Sequence, residues 1–380
     1  MLKILTAGES HGRYLVGILE GMPAGIEISE GYIEEFLTRR RGGYGRGRRM
    51  NFEKDRFSIV GGVIRGKTTG APFAILMENS GARDLDREPP RRVPRPGHAD
   101  FAGALKYGFL DDFVPVIERS SARETAVRTA LLSLTHKFLM DLGIRVAGFT
   151  KAIGHIRISD VPESYDEIVG GRNNSIFYFP DPCLDEEARK LVDRVQNQGD
   201  TLGGIFEVRV FGVLPGLGSY VDPFRKLDGR IAQVIMSLNG VKAVEVGEGI
   251  EISQKPGTEA VDEFVSRGGI RRVTNRAGGI EGGMTNGEMI VVRGYMKPIS
   301  TMRNRRRSFD LQTLEEKPAP YIRSDTVVVP AASVIAETLV SYVIADAILE
   351  KFGGDTLEDV KKNINVYRER IRKFLQDSHF

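Results

Sequence analysis

The chain has 380 residues, of which 41% are hydrophobic and 28% charged, so it is long enough for one large domain or two ordinary ones with apolar cores. The formal net charge of +3 argues against a protein that binds polyanions through overall charge, and a single cysteine, Cys183, excludes an intramolecular disulfide. The first residues lack the long apolar core of a signal peptide, so we expect a cytoplasmic protein.

Strand and helix patterns alternate irregularly along the chain. Apolar and β-branched runs predict strands at 3–7, 57–64, 72–78, 144–154, 204–213, 241–246, 288–294 and 325–329. Helical spacing predicts helices at 29–41, 99–108, 122–142, 185–197, 226–238, 331–351 and 356–375. The pair 57–64 and 72–78 has the pattern of an antiparallel hairpin, and no linker or regular βαβ series divides the chain. We therefore predict a single intertwined α+β domain over residues 1–380.

Two helices carry sequence signals at their ends. Ser121, followed three residues later by Glu124, gives helix 122–142 a capping box. Helix 29–41 is predicted to begin at Ser29 and to end at Gly42.

The most apolar stretch, 331–349, contains Glu337 and Asp346. Two carboxylates inside a stretch of this length are unfavourable in a lipid bilayer. We therefore predict a helix that is buried within the protein on most sides, and no membrane partner.

Arginine outnumbers lysine and clusters at 39–49, 83–95, 119–128 and 303–307. The planar guanidinium binds phosphate and carboxylate groups through two parallel hydrogen bonds, which the lysine ammonium cannot do. This distribution indicates that the chain recognises anionic groups at particular places.

Residues 61–68, GGVIRGKT, match the phosphate-loop pattern, but their surroundings do not fit it. Such a loop functions between a strand and a helix whose N-terminal N–H groups contact the phosphates. Here Thr69, Gly70 and Pro72 lead into an apolar strand, so we predict a hairpin turn instead.

Residues 8–12, GESHG, match the nucleophile elbow of hydrolases and follow a predicted strand. A hydrolase of that class also needs a parallel sheet and a late catalytic histidine. The sole histidine near the end of the sequence is His379, next to the last residue, so the expected order of triad residues is not met. We therefore predict that Ser10 donates a hydrogen bond to a ligand. A hydrolase with Ser10 as its nucleophile stays as an alternative.

Residues 39–49 place Tyr44 among arginines and glycines, as in RGG-type segments that bind single-stranded nucleic acid. A glycine-rich loop that folds its arginines over a small anion explains the same composition. From the residues alone, both interpretations stay open.

His11 and His98 lie in loops that are rich in glycine or proline, GESHGR at 8–13 and RPGHAD at 95–100. Imidazole changes its charge near neutral pH, so a histidine beside guanidinium groups suits proton transfer to an anionic substrate. One such histidine is more simply explained as part of a turn, but the recurrence favours a functional role. His136, His155 and His379 are predicted to be structural.

Further segments offer contacts to an anionic or flat ligand. The N-terminus of the helix that follows Arg119 and Arg123 presents N–H donors and the positive end of the helix dipole. Residues 275–287 are dense in glycine, which allows close approach of a ligand to the backbone, but they lack the spacing of a dinucleotide-binding fold. The KPIST segment at 297–301 adds a cation and two hydroxyls.

In combination these segments resemble the chorismate synthase family. The matching segments, in the family's order, are GESHG at 8–12, RRGGYGRGRRM at 40–50, RPGHAD at 95–100, RSSARET at 119–125, NRAGGIEGGMTNG at 275–287, KPIST at 297–301 and RSD at 323–325. The resemblance implies a β–α–β sandwich of antiparallel sheets with helices, a homotetramer, reduced FMN as cofactor and an association with NADP. It also implies the reaction, a 1,4-anti elimination of phosphate from 5-enolpyruvylshikimate 3-phosphate that gives chorismate.

The resemblance further implies roles for individual side chains. His98 would protonate the leaving phosphate, His11 would serve the reduced flavin near its N1–O2 edge, and Asp325 would handle the proton at flavin N5. The phosphate and two carboxylates of the substrate would be bound, with help from Ser10, by Arg40, Arg46, Arg95, Arg123 and Arg323.

The implied flavin contacts come from several segments. They are Ser121, Ala122, Arg123, Asn239, Gly240, Gly282, Lys297, Pro298, Ile299, Ser300, Thr301 and Arg323. Gly240 departs from the pattern, which has alanine after the asparagine. No extra segment suggests a built-in flavin reductase, so we expect reduced FMN from an external reductant, and we expect neither a metal site nor a nucleic-acid partner.

Overall fold

The structure, a computed structural model, describes residues 2–47, 55–266, 270–321 and 325–377. Two antiparallel sheets enclose a layer of helices. The strands are β1 (Lys3–Ala7), β2 (Tyr14–Glu20), β3 (Phe57–Gly61), β4 (Val63–Ile64), β5 (Lys67–Thr68), β6 (Phe73–Glu78), β7 (Arg145–Ile153), β8 (Ile156–Arg157), β9 (Gly204–Phe211), β10 (Val241–Val246), β11 (Phe264–Val265), β12 (Arg271–Arg272), β13 (Ile280–Glu281), β14 (Met284–Thr285), β15 (Ile290–Met296), β16 (Arg307–Phe309) and β17 (Glu316–Pro318). The α-helices are α1 (Glu30–Arg41), α2 (Asp100–Tyr107), α3 (Val114–Arg119), α4 (Thr125–Asp141), α5 (Tyr165–Asn174), α6 (Asp185–Asn197), α7 (Leu227–Met236), α8 (Gly257–Ala260), α9 (Val329–Phe352) and α10 (Leu357–Asp377).

The first sheet has the strand order β1–β2–β6–β3, with antiparallel neighbours. Every second residue of β6, Phe73, Ile75 and Met77, is buried, as expected where one sheet face packs on the core. The helix α4 packs on this face so closely that a Cβ at Gly17 of β2 would lie 2.8 Å from Val127 Cγ2. Glycine at this position therefore sets the distance between sheet and helix.

The second sheet has the order β10–β15–β9–β7–β8 and is also antiparallel. Phe206 and Val208 of β9 are fully buried, and α9 packs across β7 and β9. Glu207 lies between them in sequence and accepts hydrogen bonds from Arg209 and Arg293. Since successive side chains of a strand point to opposite faces, one face of this sheet is apolar and the other carries paired charges.

The 24-residue helix α9 lies at the centre of the molecule, in contact with α1, α4, α7 and the second sheet. By length and composition it could cross a membrane, but 89% of its most apolar 18-residue stretch is buried inside the protein. Such a helix is apolar all round because it is surrounded by other elements. The prediction of a buried helix at 331–349 is confirmed.

The predicted fold class, a sandwich of antiparallel sheets with helices, is confirmed, as is the antiparallel pairing of β3 with β6. Between these strands, β4 and β5 form a hairpin whose turn residues, Arg65 and Gly66, have φ of 53° and 75°. Two positive φ values are the mark of a type I′ hairpin turn. The GGVIRGKT segment is therefore a hairpin, as predicted, and not a phosphate loop.

The predicted strand at 325–329 is wrong. The β-branched run there suggests a strand, but α9 already begins at Val329. Pro330 lies in the first helical turn, where the missing N–H of proline has no cost. The hydrophobic pattern of the sequence also gives no indication of three further elements. The strand β2 is interrupted by Gly17, and the helices α3 and α5 are short and contain a proline and two adjacent glycines, respectively.

Candidate active site

The loop between β1 and β2 carries Ser10 and His11 and is held by a buried carboxylate on α3. Glu118 accepts a hydrogen bond from the His11 main-chain N through Oε2 at 2.7 Å, and its two oxygens lie 2.9 and 3.0 Å from His11 Nδ1. Burial alone would raise the pKa of Glu118, but the hydrogen bonds and charge of His11 outweigh it and lower that pKa. The Glu118 side chain is therefore a carboxylate at neutral pH.

The same contacts speak against the hydrolase alternative. The Ser10 hydroxyl oxygen lies 3.0 Å from His11 Nδ1, the nitrogen that also faces Glu118. In a serine hydrolase triad the acid and the serine contact opposite ring nitrogens, so that the acid orients the base that activates the serine. Here both contact one nitrogen, which is the wrong arrangement for that relay.

The turn that follows α3 is tied to the first sheet. The Arg119 guanidinium donates to the main-chain oxygen of Thr6 at 3.0 Å. Ser121 caps a short 3-10 turn by accepting from Arg123 N, while the Glu124 carboxylate accepts from the Thr6 hydroxyl at 3.0 Å. The predicted capping box is therefore only half formed, because Glu124 bonds to β1 instead of to the cap residue.

Two arginines that were assigned to the substrate, Arg40 and Arg123, meet at this turn. Arg40, which is 5% exposed, donates to the main-chain oxygen of Ala122 at 3.2 Å. Arg123 donates to Asn79 Oδ1 at 2.9 Å and forms an ion pair with the fully buried side chain of Asp55. Both guanidinium groups are thus held in fixed positions by protein contacts.

His98 lies in a second loop that is bonded to the KPIST segment. Its Nε2 lies 3.1 Å from Thr301 Oγ1, and Lys297 Nζ donates to the main-chain oxygen of Gly97 at 2.7 Å. Burial and, next, the Arg95 guanidinium lower the pKa of His98 below its ordinary 6.5. The imidazole of the ligand-free protein is therefore neutral at pH 7.

The KPIST segment packs tightly on this loop. Ser300 Oγ accepts from Lys297 Nζ at 2.9 Å, and beyond Pro298 the main-chain oxygen of Ile299 accepts from Thr201 at 2.6 Å. Gly97 has φ of +77°, and a Cβ there would lie 3.0 Å from Ser300 Cβ. A side chain at Gly97 would therefore push the two segments apart.

A glycine turn connects the two histidine loops. Asn239 Nδ2 donates to the main-chain oxygen of Ser120 at 3.0 Å, and Lys297 N donates to Gly240 O at 2.9 Å. Gly240 has φ of +87°, and the heavy atom nearest to a Cβ built there is Met296 Cε at 3.5 Å. The expected alanine would fit the space but would be strained by the backbone, which accounts for glycine in this chain.

The remaining candidates form ion pairs around this group. Arg46 contacts Asp325 at 2.9 Å. Arg95 donates to both oxygens of the fully buried Asp100 at 2.8 Å. Arg323 lies outside the described residues.

Gly282 lies apart from this group. Among the residues that the structure describes, it is the one proposed flavin contact that no hydrogen bond or packing contact links to the others. It lies in the turn between β13 and β14, and the adjacent Gly283 accepts from Leu227 N at 2.8 Å. Leu227 begins α7, whereas Asn239 and Gly240 follow its other end. The ten residues of α7 therefore separate Leu227 from Asn239 and Gly240 by about 15 Å.

The donor set gathered here suits an anionic substrate and a phosphorylated flavin. Guanidinium groups, the Lys297 ammonium, two hydroxyls and an open glycine turn are all donors or surfaces for such groups. A cavity of about 520 Å³ beside α1 is lined by Glu30, Glu34, Asp55 and Glu78, with Arg56 among them, and Asp55 is also the partner of Arg123. Its four carboxylates would repel an anion, so this cavity does not suit the substrate.

The residue that sequence analysis missed is Glu118. It directly precedes the RSSARET motif and ends the run VPVIE. A carboxylate that closes an apolar helical run is unusual, because acidic residues are almost never fully buried unless they are paired. A glutamate at this place in the sequence therefore indicates a buried carboxylate that is paired with another group.

Comparison with known proteins agrees with the fold. The family model described as chorismate synthase matches residues 2–349. Chorismate synthases of Chlorobaculum tepidum, Desulforudis audaxviator and Geobacillus thermodenitrificans are 45%, 46% and 46% identical over 98% of this chain, which covers 99%, 98% and 100% of theirs. A crystal structure of chorismate synthase superposes with a TM-score of 0.80 at 37% identity, covering 98% of both chains. The chain therefore belongs to the chorismate synthase family, lyases of class EC 4.2.3.5 in the shikimate pathway.

Proposed function

We propose that this chain catalyses the 1,4-anti elimination of phosphate from 5-enolpyruvylshikimate 3-phosphate to give chorismate, with reduced FMN as cofactor. The observation that carries the proposal is a series of hydrogen bonds, linked by short stretches of chain, between the loops of two histidines. Glu118 accepts from His11 N, and Asn239 donates to the main-chain oxygen of Ser120, two residues after Glu118. Lys297 N donates to Gly240 O, and the Lys297 ammonium donates to Gly97 O in the loop of His98. This series supports a single region for the proposed proton-transfer groups and cations, as an elimination of phosphate requires.

The arginines supply the positive charge that can bind the anionic groups of the substrate. The substrate carries one phosphate and two carboxylates, each of which can be bound by a guanidinium through two hydrogen bonds. Arg40 and Arg123 are held by Ala122, Asn79 and Asp55, so little side-chain entropy is lost when they bind an anion. The remaining proposed contacts are those of Ser10, Arg46, Arg95 and Arg323.

The flavin is proposed to lie along the glycine turn and the KPIST segment. The residues that would hold it are Ser121, Ala122, Arg123, Asn239, Gly240, Gly282, Lys297, Pro298, Ile299, Ser300, Thr301 and Arg323. The ammonium of Lys297 and the hydroxyls around it are suitable partners for a phosphate group. Bound reduced FMN would lend an electron to the reacting substrate and recover it, so that the net reaction consumes no reductant.

The titratable side chains move the protons of the net reaction. The bond between carbon and the phosphate oxygen breaks with its electron pair going to phosphate. A hydrogen leaves the opposite face of the ring as a proton, and the electron pair of its C–H bond enters the new conjugated double bond. His98 donates a proton to the departing phosphate oxygen, and Asp325, positioned by Arg46, receives the proton derived from the ring. His11 would hold a proton for the reduced flavin at its N1–O2 edge.

The assembly and the supply of reductant are part of the same proposal. We propose a homotetramer in the cytoplasm that takes reduced FMN from an external, NADP-dependent reductase and does not reduce FMN itself. Light scattering of the purified protein would give a mass four times that of the 42.0 kDa chain. NADPH with oxidised FMN and the protein alone would give no chorismate.

Anaerobic turnover tests the proposed function directly. The protein is given 5-enolpyruvylshikimate 3-phosphate and a catalytic amount of photoreduced FMN, and phosphate release and chorismate absorbance are followed together. We expect phosphate and chorismate in equal amounts that exceed the amount of flavin, and no product with oxidised FMN. Product that never exceeds the flavin, or phosphate without chorismate, would contradict the proposal.

A further inference from the structure

The buried carboxylate of Glu118 contacts His11 at three points. It accepts from the main-chain N at 2.7 Å, and its Oε1 and Oε2 lie 2.9 and 3.0 Å from the ring nitrogen Nδ1. The side chain of Glu118 is 2% exposed and that of His11 15%. Glu118 therefore fixes both the backbone and the ring of this histidine away from bulk water.

Such a contact decides which ring nitrogen exchanges protons. A carboxylate only accepts hydrogen bonds when it is ionised, so Nδ1 must carry a hydrogen in both the neutral and the charged imidazole. Proton exchange with a ligand then falls to Nε2.

We propose that Glu118 is a positioning residue of this site, which holds His11 in one orientation and one tautomer. The proposal rests on the proposed function in assigning His11 to proton transfer. The position of Glu118 supports it, because α3 ends at the next residue, Arg119, and continues directly into the turn that contains Ser121. The main-chain N of Ser10 also donates to Glu118 O at 3.1 Å, so the helix end and the GESHG loop are joined as one unit.

A purely structural role makes different predictions. If Glu118 only anchored the loop, a glutamine would replace it well, since its amide oxygen can still accept from the His11 main chain. If Glu118 acts through Nδ1, the same glutamine alters the tautomer of His11 while the fold persists. The E118Q variant therefore separates the two roles.

The first measurement needs no substrate or flavin. The nitrogen-15 chemical shifts of both ring nitrogens, measured by NMR in protein that carries labelled histidine, report which nitrogen of each imidazole carries the hydrogen. We expect the hydrogen on Nδ1 of His11 in the parent protein and a mixture of both tautomers in E118Q, because an amide can donate as well as accept. The shifts of His98 should not change, and E350Q, which alters the pair with Arg230 at 2.9 Å instead, should change neither histidine.

The second measurement is turnover. For E118Q we expect kcat to fall about 10- to 100-fold with a KM within about threefold, less than the roughly 10²–10⁴-fold expected on removing the imidazole. E118D, which keeps the carboxylate, should recover part of the rate. In a background of His11→Gln, E118Q should cause no further loss, because the two residues act together.

The outcomes separate the two proposals. Ring-nitrogen shifts of His11 that are unchanged in folded E118Q overturn the role of Glu118, whatever the activity. Changed shifts with unchanged kcat retain the effect of Glu118 on His11 but remove His11 from the reaction. Additive losses in the double variant would show that Glu118 acts independently of His11, which also overturns the proposal.

Discussion

His98 combines a proposed role as an acid with surroundings that favour its neutral form. Burial and the neighbouring Arg95 hold the pKa of His98 below 6.5, while the proposed reaction needs its proton on the departing phosphate. A bound phosphate reverses the balance, because its negative charge favours the imidazolium. The residue is thus uncharged until the substrate brings the charge that protonates it.

This arrangement predicts different pH profiles for the free and the bound enzyme. Because the pKa of His98 in the free protein lies below 6.5, His98 loses its proton as pH rises through that lower value. The profile of kcat/KM should therefore have a limb below pH 6.5 that falls as pH rises. The limb of kcat, which reports the bound state, should lie at higher pH. Both profiles are measured with photoreduced FMN, and the His98→Gln variant should lose the limb in each. A kcat/KM that rises with pH through this range would contradict the role of His98 as the acid.

At the scale of elements, the helix α9 contributes a buried charge that joins its neighbours. Glu337 forms an ion pair with Arg39 of α1, accepts from Arg172 of α5 at 3.0 Å and accepts from Gly148 N of β7 at 3.0 Å. Burial would raise the pKa of Glu337, but these two arginines and His136 lower it to about 2. The carboxylate is thus ionised inside the core and neutralises cations from two helices.

Replacing Glu337 with glutamine should destabilise the fold at neutral pH. Two buried guanidinium groups lose their counter-charge, and breaking a buried pair in this way costs about 3–5 kcal/mol in the free energy of unfolding. Because the folded pKa lies below the ordinary 4.5, the carboxylate's contribution is present above pH 4.5 and is lost as pH falls from there towards 2. Urea unfolding of both proteins should therefore show a difference that is largest at pH 7 and shrinks below pH 4.5, and E350Q should lose less. A constant difference across this range would show that the charge of Glu337 is not the cause.

Elements with strong local signals could be predicted, and those that depend on neighbours could not. The helix α1 lies between its cap residues Ser29 and Gly42, as predicted, and the Ser29 side chain accepts from Tyr32 N. The run that starts at Thr326 looks like a strand, but Thr326 N donates to Gly45 O and the chain then enters α9. That choice is made by tertiary contacts, which a periodic pattern does not contain.

At the scale of the whole molecule, the site is assembled from both sheets. The GESHG loop connects strands of the first sheet, whereas the turn at Gly240 and the segment from Lys297 adjoin strands of the second. Sequence motifs could therefore identify most of the segments, but not the contacts between them, because Glu118 and His11 are 107 residues apart in the chain. The partner of a histidine across such a distance is defined only when the layers pack.

A site made from two sheets should couple ligand binding to global stability. The unfolded chain does not hold these segments together, so a ligand that binds only the folded site adds about 2.7 kcal/mol to the free energy of unfolding at a concentration of 100 Kd. Since the chain contains no tryptophan, equilibrium urea unfolding is followed by far-ultraviolet circular dichroism, with FMN and substrate at 100 times the Kd values measured for each. Lys297→Met should lose most of the increase due to FMN, because it removes the ammonium that contacts Gly97 and Ser300, whereas Lys190→Met on the exposed side of α6 should retain it. An unfolding midpoint that FMN leaves unchanged in the parent protein, or equal increases in both lysine variants, would mean that the flavin binds elsewhere than at the junction of the two sheets.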